Sequence, residues 1–154
     1  MRDFVLALSG SVVGGLLALT GAFMQARLAA EKDARAELRG KLELLMEKHY
    51  ADAQCNLEYL ELGTERADCS QTQLGWKALT LANLYFPEMI EPLDKYGDIV
   101  TARQVARQFC DNNFPDKGPK RADCVRDALR KHKTDAQEGA IAAAAYKISL
   151  SLRP

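Results

Sequence analysis

The order of apolar and charged positions divides the chain into an uncharged N-terminal segment and a longer amphipathic remainder. The segment from Phe4 to Met24 contains no charged side chain. As an α-helix it would be roughly 30 Å long, which matches the hydrocarbon thickness of a bilayer. A cleavable signal peptide, with Thr20-Gly21-Ala22 as its cleavage site, is the main alternative, but its apolar region should be only about 7–15 residues long. The pattern therefore predicts an uncleaved transmembrane anchor over residues 1–25.

Small residues recur every three or four positions along this segment, which places them on one face of a helix. Such residues let two helix backbones approach closely in lipid, and Gly10-x-x-x-Gly14 is a typical motif of this kind. The alternative explanation is that glycine is simply common in transmembrane helices. The sequence predicts that the anchor associates with itself or with a partner through Ala7, Gly10, Ser11, Gly14, Ala18 and Gly21.

Beyond Gln25 the chain is rich in Ala, Leu, Glu, Lys and Arg, all strong helix formers. Residues 26–41 have few large apolar side chains and are predicted to form a helical stalk. Gly63 is expected to end this helix. Before it, an apolar stripe with helical spacing indicates a face buried in a core, through Leu42, Leu45, Met46, Tyr50, Ala53, Leu57 and Leu60.

Three further helices are predicted, over 70–86, from about 98 to 110 and from about 123 to 150. Pro87 should end the first of them, and the chain to Gly97 should be irregular. No segment shows convincing period-two alternation, so no strand is expected. The predicted fold is all-α, with a single transmembrane helix, a helical stalk, and a small antiparallel bundle of about four helices over residues 42–154.

The four cysteines fall into two pairs with equal spacing. Cys55 and Cys69 are 14 positions apart, as are Cys110 and Cys124, and the tetrapeptide Arg-Ala-Asp-Cys ends each pair. Each pair joins a predicted helix to the start of the next one, a geometry in which a disulfide can close the corner. Free thiols and the other two pairings remain alternatives. A zinc site would need CxxC-type spacing or nearby histidines, and the sequence has neither. We predict disulfides Cys55–Cys69 and Cys110–Cys124.

Two rules disagree on which side of the membrane the bundle lies. Five basic residues follow the anchor within residues 27–41, whereas Arg2 alone precedes it, so the positive-inside rule favours the cytoplasm. Disulfides require an oxidising compartment. Because the cysteine pattern is the more specific observation, we predict a bacterial inner-membrane protein with a single span and a periplasmic bundle.

Composition excludes several classes of protein. The chain has 154 residues, 47% of them hydrophobic, which is sufficient for a folded core and incompatible with intrinsic disorder. Its 21 Lys and Arg residues balance 21 Asp and Glu residues, and a net charge of zero argues against nucleic acid as a partner.

No catalytic signature is present. HExxH, GxxxxGK[ST] and GxSxG motifs are missing from the sequence, so no metal, cofactor, small-molecule substrate or enzymatic activity is predicted. His49 and His132, the two histidines, are interpreted as boundary or solvated residues.

Basic residues are concentrated at the start of the last predicted helix and in the loop before it. Seven basic residues lie between Lys117 and Lys133, and a candidate basic surface is formed by Arg126, Arg130, Lys131 and Lys133. These residues either dock against acidic parts of their own bundle or contact anionic lipid or an acidic partner.

These features predict a non-enzymatic membrane protein, a small subunit or adaptor that binds a partner protein. The layout of anchor, long helix and periplasmic cysteines resembles the inner-membrane subunit of phage spanins, which implies a structural envelope protein as the alternative. A membrane-bound immunity or anti-phage protein with a cytoplasmic domain is the third possibility, and the basic residues after the anchor favour it.

Overall fold

The computed structural model describes the backbone of residues 2–62, 71–116 and 118–153, and the side chains of residues 18–60, 75–116 and 118–153. This part of the chain is helical and contains no strand, so the predicted all-α class is confirmed. The elements are α1 (Arg2–Leu62), α2 (Gln71–Tyr85), a 3-10 turn (Pro87–Met89), α3 (Ile90–Asn113), α4 (Pro119–Lys131) and α5 (Asp135–Ser151).

The predicted anchor lies mostly outside the described side chains. Within the residues that the structure describes, no helix contains a stretch that is both long enough and apolar enough to cross a bilayer. Of the predicted packing face, the structure describes the side-chain positions of Ala18 and Gly21. The other four members lie outside the described side chains: Ala7, Gly10, Ser11 and Gly14.

Residues 39–153 form one compact unit, and residues 1–38 belong to another. The core of the compact unit is built by α1, α2, the 3-10 turn, α3 and α5. Its buried members are Leu42, Leu45, Ala82, Phe86, Met89, Leu93, Tyr96, Val100, Ile141 and Ala145. Apolar burial of this kind contributes about 25 cal/mol per Å² and provides the main force that holds the bundle together.

The buried face of α1 differs from the predicted stripe. Leu42, Leu45 and Leu60 are buried as expected, but Tyr50 and Leu57 are exposed. The face continues instead through His49, Asp52 and Asn56, all of them polar and all of them buried. The buried positions of α1 are spaced by three or four residues, at 42, 45, 49, 52, 56 and 60. They therefore lie on one face of the helix, although three of them are polar.

Helix α3 begins earlier than predicted. The chain from Ile90 to Gly97 is helical rather than irregular, and α3 extends to Asn113. Pro92 lies in the first turn of α3, where a backbone N–H would have no intrahelical acceptor, so proline is tolerated there. The prediction for α2 agrees with the structure within about one residue at each end.

The single helix predicted from about 123 to 150 is wrong, because the chain forms two helices there. Helix α4 starts at Pro119, whose fixed φ suits the first helical position, and its C-cap is His132. Thr134 is the N-cap of α5, with Asp135 and Glu138 in the first turn, where the helix dipole favours acidic side chains. Helix-favouring residues on both sides of residues 132–134 hid this break.

Candidate functional site

Helices α1, α2 and α3 line an open cleft of about 620 Å³ in the compact unit. That volume falls within the range of about 300–1,000 Å³ that is typical of ligand sites. Helix α1 contributes the polar residues His49, Asp52 and Asn56 of its buried face. The cleft therefore lies where the α1 stripe changes from apolar to polar.

A chain of hydrogen bonds crosses the floor of the cleft from α3 to α1. The Gln104 amide nitrogen donates to the Asn56 side-chain oxygen at 3.2 Å, and the Asn56 Nδ2 donates to Oδ2 of Asp52 at 3.0 Å. The backbone N–H of Gly75 in α2 also donates to the Asp52 carboxylate. Burial raises the pKa of Asp52, and these two hydrogen bonds offset part of that increase. Asp52 is thus held in one position by groups from two helices.

Two aromatic rings with polar atoms form the wall beside this chain. His49 is only 3% exposed and Tyr96 only 5% exposed. Their rings pack edge to face, with centroids 4.8 Å apart. Within the described part of the chain, neither the His49 imidazole nor the Tyr96 hydroxyl has a hydrogen-bond partner, although both residues line the cleft. Among the described residues, Oε1 of Gln137 is the fully enclosed side-chain polar atom that has no partner. The polar atoms of His49 and Tyr96 are therefore open to the cleft.

The electrostatic surroundings of these rings are negative. Burial lowers the pKa of His49, although the Glu138 carboxylate opposes this effect. The pKa of Tyr96 is raised well above its usual range by burial, and the carboxylates of Asp52 and Glu138 add to the increase. The Arg103 guanidinium acts in the opposite direction on Tyr96. His49 is therefore a buried, neutral imidazole, and its interpretation as a boundary or solvated residue is wrong.

The rim of the cleft is acidic and aromatic. Asp94 and Asp98 of α3 are exposed residues of the lining, and Trp76 of α2, which is 67% exposed, also lines the cleft. Among the described lining residues there are three carboxylates, counting Asp52, and no lysine or arginine. Low-dielectric walls with one sign of charge concentrate the field inside a cleft.

Two buried arginines, Arg103 and Arg107, and the half-buried Arg39 donate hydrogen bonds to carbonyl groups at helix ends. Arg107 donates to the carbonyl oxygens of Tyr59 and Leu60 in the last turn of α1, and its guanidinium lies 5.1 Å from the centre of the Tyr59 ring. Arg103 donates to the carbonyl of His132, the C-cap of α4, at 2.5 Å. Arg39 donates to the carbonyl of Leu152, the C-cap of α5. We call Arg39, Arg103 and Arg107 the arginine ties.

One predicted disulfide is present in the described residues. Cys110 of α3 and Cys124 of α4 are bonded, with their Cα atoms 5.8 Å apart, so this pairing is confirmed. Beside it, Arg121 of α4 forms an ion pair with Asp111 of α3 at 2.6 Å. Cys55 is also disulfide-bonded, but its predicted partner, Cys69, lies outside the described residues, so the Cys55–Cys69 pairing stays a prediction.

The predicted basic surface lies on the exposed side of α4 and just beyond it. All four residues of this surface are exposed: Arg126, Arg130, Lys131 and Lys133. Arg126 pairs with Asp123 at 2.9 Å and Arg130 with Asp127 at 3.9 Å, and both of these ion pairs lie within α4 itself.

The small residues of the predicted packing face that the structure describes are not buried. Ala18 and Gly21 are exposed, and a Cβ atom added at Gly21 would meet no atom within 4 Å.

Sequence reasoning missed the cleft and the arginine ties. The sequence does contain a pattern that points to the cleft. Helical spacing from Leu42 and Leu45 leads to His49 and Asp52, which places these polar residues on the same helix face. No comparable signal marks Arg107, since its partners are backbone carbonyl groups of a distant segment.

The fold and site define an all-helical domain with an acidic, aromatic-walled cleft among its described residues. No cluster of three or more His, Cys, Asp or Glu residues in that part of the chain is arranged to hold a metal ion. No protein-family model, curated protein or solved structure matches this chain.

Proposed function

We propose that the protein is a single-pass membrane protein of the bacterial envelope, with a periplasmic helical domain that binds a partner protein and performs no catalysis. The observation that carries the proposal is the cleft, because two of its buried polar side chains have no hydrogen-bond partner among the described residues. The polar atoms of these side chains are open to the cleft, so a partner seated there would form hydrogen bonds with them in place of water.

The anchor is supported by the sequence and by the exposed residues that continue it. Phe4 to Met24 has no charge, and a run of this length suits a bilayer. Leu19, Phe23 and Met24, at the described end of this segment, are each more than two-thirds exposed. Large apolar side chains exposed along one helix are favourable in lipid and unfavourable in water. The small residues from Ala7 to Gly21 would let this helix pair with another copy or with a partner.

The disulfide supports a periplasmic position for the domain, because such bonds persist in oxidising compartments. The runner-up is a cytoplasmic domain, as in a membrane-bound immunity or anti-phage protein, and the basic residues between Arg27 and Lys41 favour it. A spanin-like structural role shares the periplasmic position but requires no ligand in the cleft.

Binding is favoured over catalysis by the surroundings of His49. A catalytic histidine is normally oriented by a hydrogen bond to a carboxylate or carbonyl group, and it titrates near neutral pH. In the described part of the chain the His49 imidazole has no such bond, and burial moves its pKa away from neutrality. Asp52 is held by Asn56 and Gly75 rather than by His49.

The test combines topology with crosslinking in cells. Full-length protein carrying a C-terminal alkaline phosphatase should be active in the periplasm and should resist carbonate extraction, whereas a cytoplasmic reporter should be inactive. A photo-crosslinking residue at Trp76 should capture one defined protein, and the same residue at Tyr146, which is 61% exposed on α5, should not. Loss of the protein to the soluble fraction, or equal capture at both positions, contradicts the proposal.

A further inference from the structure

The cleft is lined by carboxylates that have no basic counterpart on its described walls. Asp52 lies at the floor, and Asp94 and Asp98 lie at the rim. Arg103, a buried arginine of α3, is not part of the lining and donates to the His132 carbonyl. A positively charged group entering this cleft would gain attraction from three carboxylates and would meet no lysine or arginine among the described lining residues.

The acidic cluster is accompanied by polar groups that point to a ligand independently. The His49 imidazole and the Tyr96 hydroxyl belong to residues that are more than nine-tenths buried, line the cleft and have no hydrogen-bond partner in the described part of the molecule. A neutral imidazole offers one acceptor nitrogen, and a phenol oxygen also accepts hydrogen bonds. Both therefore suit the N–H donors of a cation.

The aromatic residues of the cleft favour the same kind of ligand. Trp76 is exposed at the rim, and Tyr96 forms part of the wall. The faces of aromatic rings attract cations, with tryptophan the strongest, and this attraction increases as the site is desolvated. Leu79, Leu93 and Val100 supply apolar surface for the methylene groups that carry an amine or guanidinium.

We propose that this cleft binds an organic cation, namely the ammonium or guanidinium group of a basic side chain or of a free amine. The inference rests on the proposed binding function, because it names the chemical group that the domain recognises. The shared chemistry is an N–H-bearing cation on an aliphatic chain, and its source is either a basic segment of the partner protein or a free amine.

The cleft provides its own reporter. Trp76 is the single tryptophan of the chain, so its fluorescence reports the rim of the cleft without labelling. Full-length protein in lipid nanodiscs is titrated with n-butylammonium, n-butylguanidinium and the neutral analogue n-butanol. A blocked peptide with one central lysine, and the same peptide with norleucine, form the second arm. We expect saturable changes with the cations, little change with the neutral analogues, and weaker binding when salt is raised from about 0.05 to 0.5 M.

Single substitutions locate the binding to the cleft. Asp94→Asn and Asp98→Asn should each weaken cation binding about threefold, as expected for an exposed charge about 6 Å away. Asp52→Asn should weaken it on the order of tenfold, because a charge-assisted hydrogen bond is lost. Asp116→Asn is the matched control, since Asp116 is exposed just beyond the end of α3 and does not line the cleft. If the Asp52 variant fails to fold, the two rim variants still decide the outcome.

Each result supports or overturns the inference. Stronger binding of the lysine peptide than of n-butylammonium assigns the cation to a partner protein, and the reverse assigns it to a free amine. Equal responses to n-butanol and n-butylammonium, or an Asp116→Asn effect as large as that of Asp98→Asn, overturn cation binding. If no cation binds while the crosslinker at Trp76 still captures its partner, the inference fails and the proposed function stands. If neither occurs, both fail.

Discussion

Two groups of buried or half-buried polar residues lie in the same small domain and differ in how their hydrogen bonds are satisfied. The arginine ties, Arg39, Arg103 and Arg107, each donate to a carbonyl oxygen at or near the end of another segment. In the cleft, His49 and Tyr96 are also buried but have no hydrogen-bond partner among the described residues. The difference separates polar residues that hold the fold together from polar residues available to a ligand.

The arginine ties donate hydrogen bonds at the C-terminal ends of helices. The last carbonyl groups of an α-helix have no intrahelical donor, and the helix dipole makes that end negative. A guanidinium placed there supplies several N–H donors and one positive charge, and each charge-assisted hydrogen bond contributes about 1.5–3 kcal/mol. In this domain the ties stabilise the described ends of α1, α4 and α5, and two of them come from α3.

The polar side chains of the cleft wall differ from the arginine ties, because they donate to no helix end. An unsatisfied buried polar group destabilises the fold, so a domain tolerates it where water or a ligand has access. Asp52 and Asn56 are engaged with each other and with Gly75 and Gln104, which positions the floor of the cleft. The polar atoms of His49 and Tyr96, which are open to the cleft, belong to the wall above that floor.

Removing the central arginine tie should produce the largest effect. Arg107→Ala should lower the free energy of unfolding by about 4 kcal/mol, because two carbonyl groups of α1 lose their donor and packing against Tyr59 is lost. Urea unfolding followed by circular dichroism measures this loss. The control is Arg126→Ala, an exposed residue in an ion pair within α4, which should change stability by about 0–1 kcal/mol. Equal losses in the two variants would remove the distinction between tie and surface arginine.

The disulfide beside the ties should have the next largest effect. Cys110→Ala with Cys124→Ala opens a loop of sequence separation 14 and should lower the free energy of unfolding by about 3 kcal/mol. Differential alkylation before and after reduction should show Cys110 and Cys124 protected in the native protein. Free alkylation of the native thiols would contradict the bond and would also favour a cytoplasmic domain.

Titration of His49 and Asp52 in the cleft should change the free energy of unfolding with pH, and this effect should be the smallest of the three. Because burial lowers the pKa of His49 below its ordinary 6.5, the unfolded chain binds a proton before the folded one does. Stability attributable to His49 is thus present above about pH 6.5 and is lost as the pH falls. The contribution of Asp52 has the opposite sign. Burial raises the pKa of its carboxyl group above the ordinary value of 3.8, so the folded chain binds this proton more tightly and gains stability as the pH falls.

The measurement is the free energy of unfolding between about pH 7.5 and 5 for the wild type and for His49→Gln. The substitution should flatten the decrease at acidic pH, since glutamine does not titrate in this range. Asp52→Asn should make the decrease steeper, because the opposing contribution is removed. An unchanged profile in His49→Gln would show that the His49 ring is not buried as described.

Periodicity was sufficient for the fold class but not for the register of α1. The predicted stripe followed Met46, Tyr50 and Leu57, the largest apolar residues available. The structure buries His49 and Asp52 instead, about one position away, and leaves Tyr50 exposed. One position is about 100° around a helix, so following hydrophobicity alone moved the predicted face off the cleft. For the same reason the site residues of the cleft were not identified.

The helix boundaries show a similar limit. Pro92 and Gly97 suggested an irregular segment, yet proline in a first turn costs a helix little, and packing of Leu93 and Tyr96 into the core holds α3 there. No local sequence pattern marks the break between α4 and α5 at residues 132–134. The carbonyl group of His132 at this break accepts a hydrogen bond from Arg103, which lies far away in the sequence.

Local information in the sequence determined the all-helical class, the approximate bounds of α2 and the pairing of Cys110 with Cys124, because each depends on residues close together in the chain. The tertiary structure alone decided which polar residues are buried, since burial depends on what packs opposite. It placed Gln104 beside Asn56, Arg107 against the end of α1, and Trp76 and Asp98 in the lining of one cleft. Such contacts join segments far apart in sequence, and no local spacing rule encodes them.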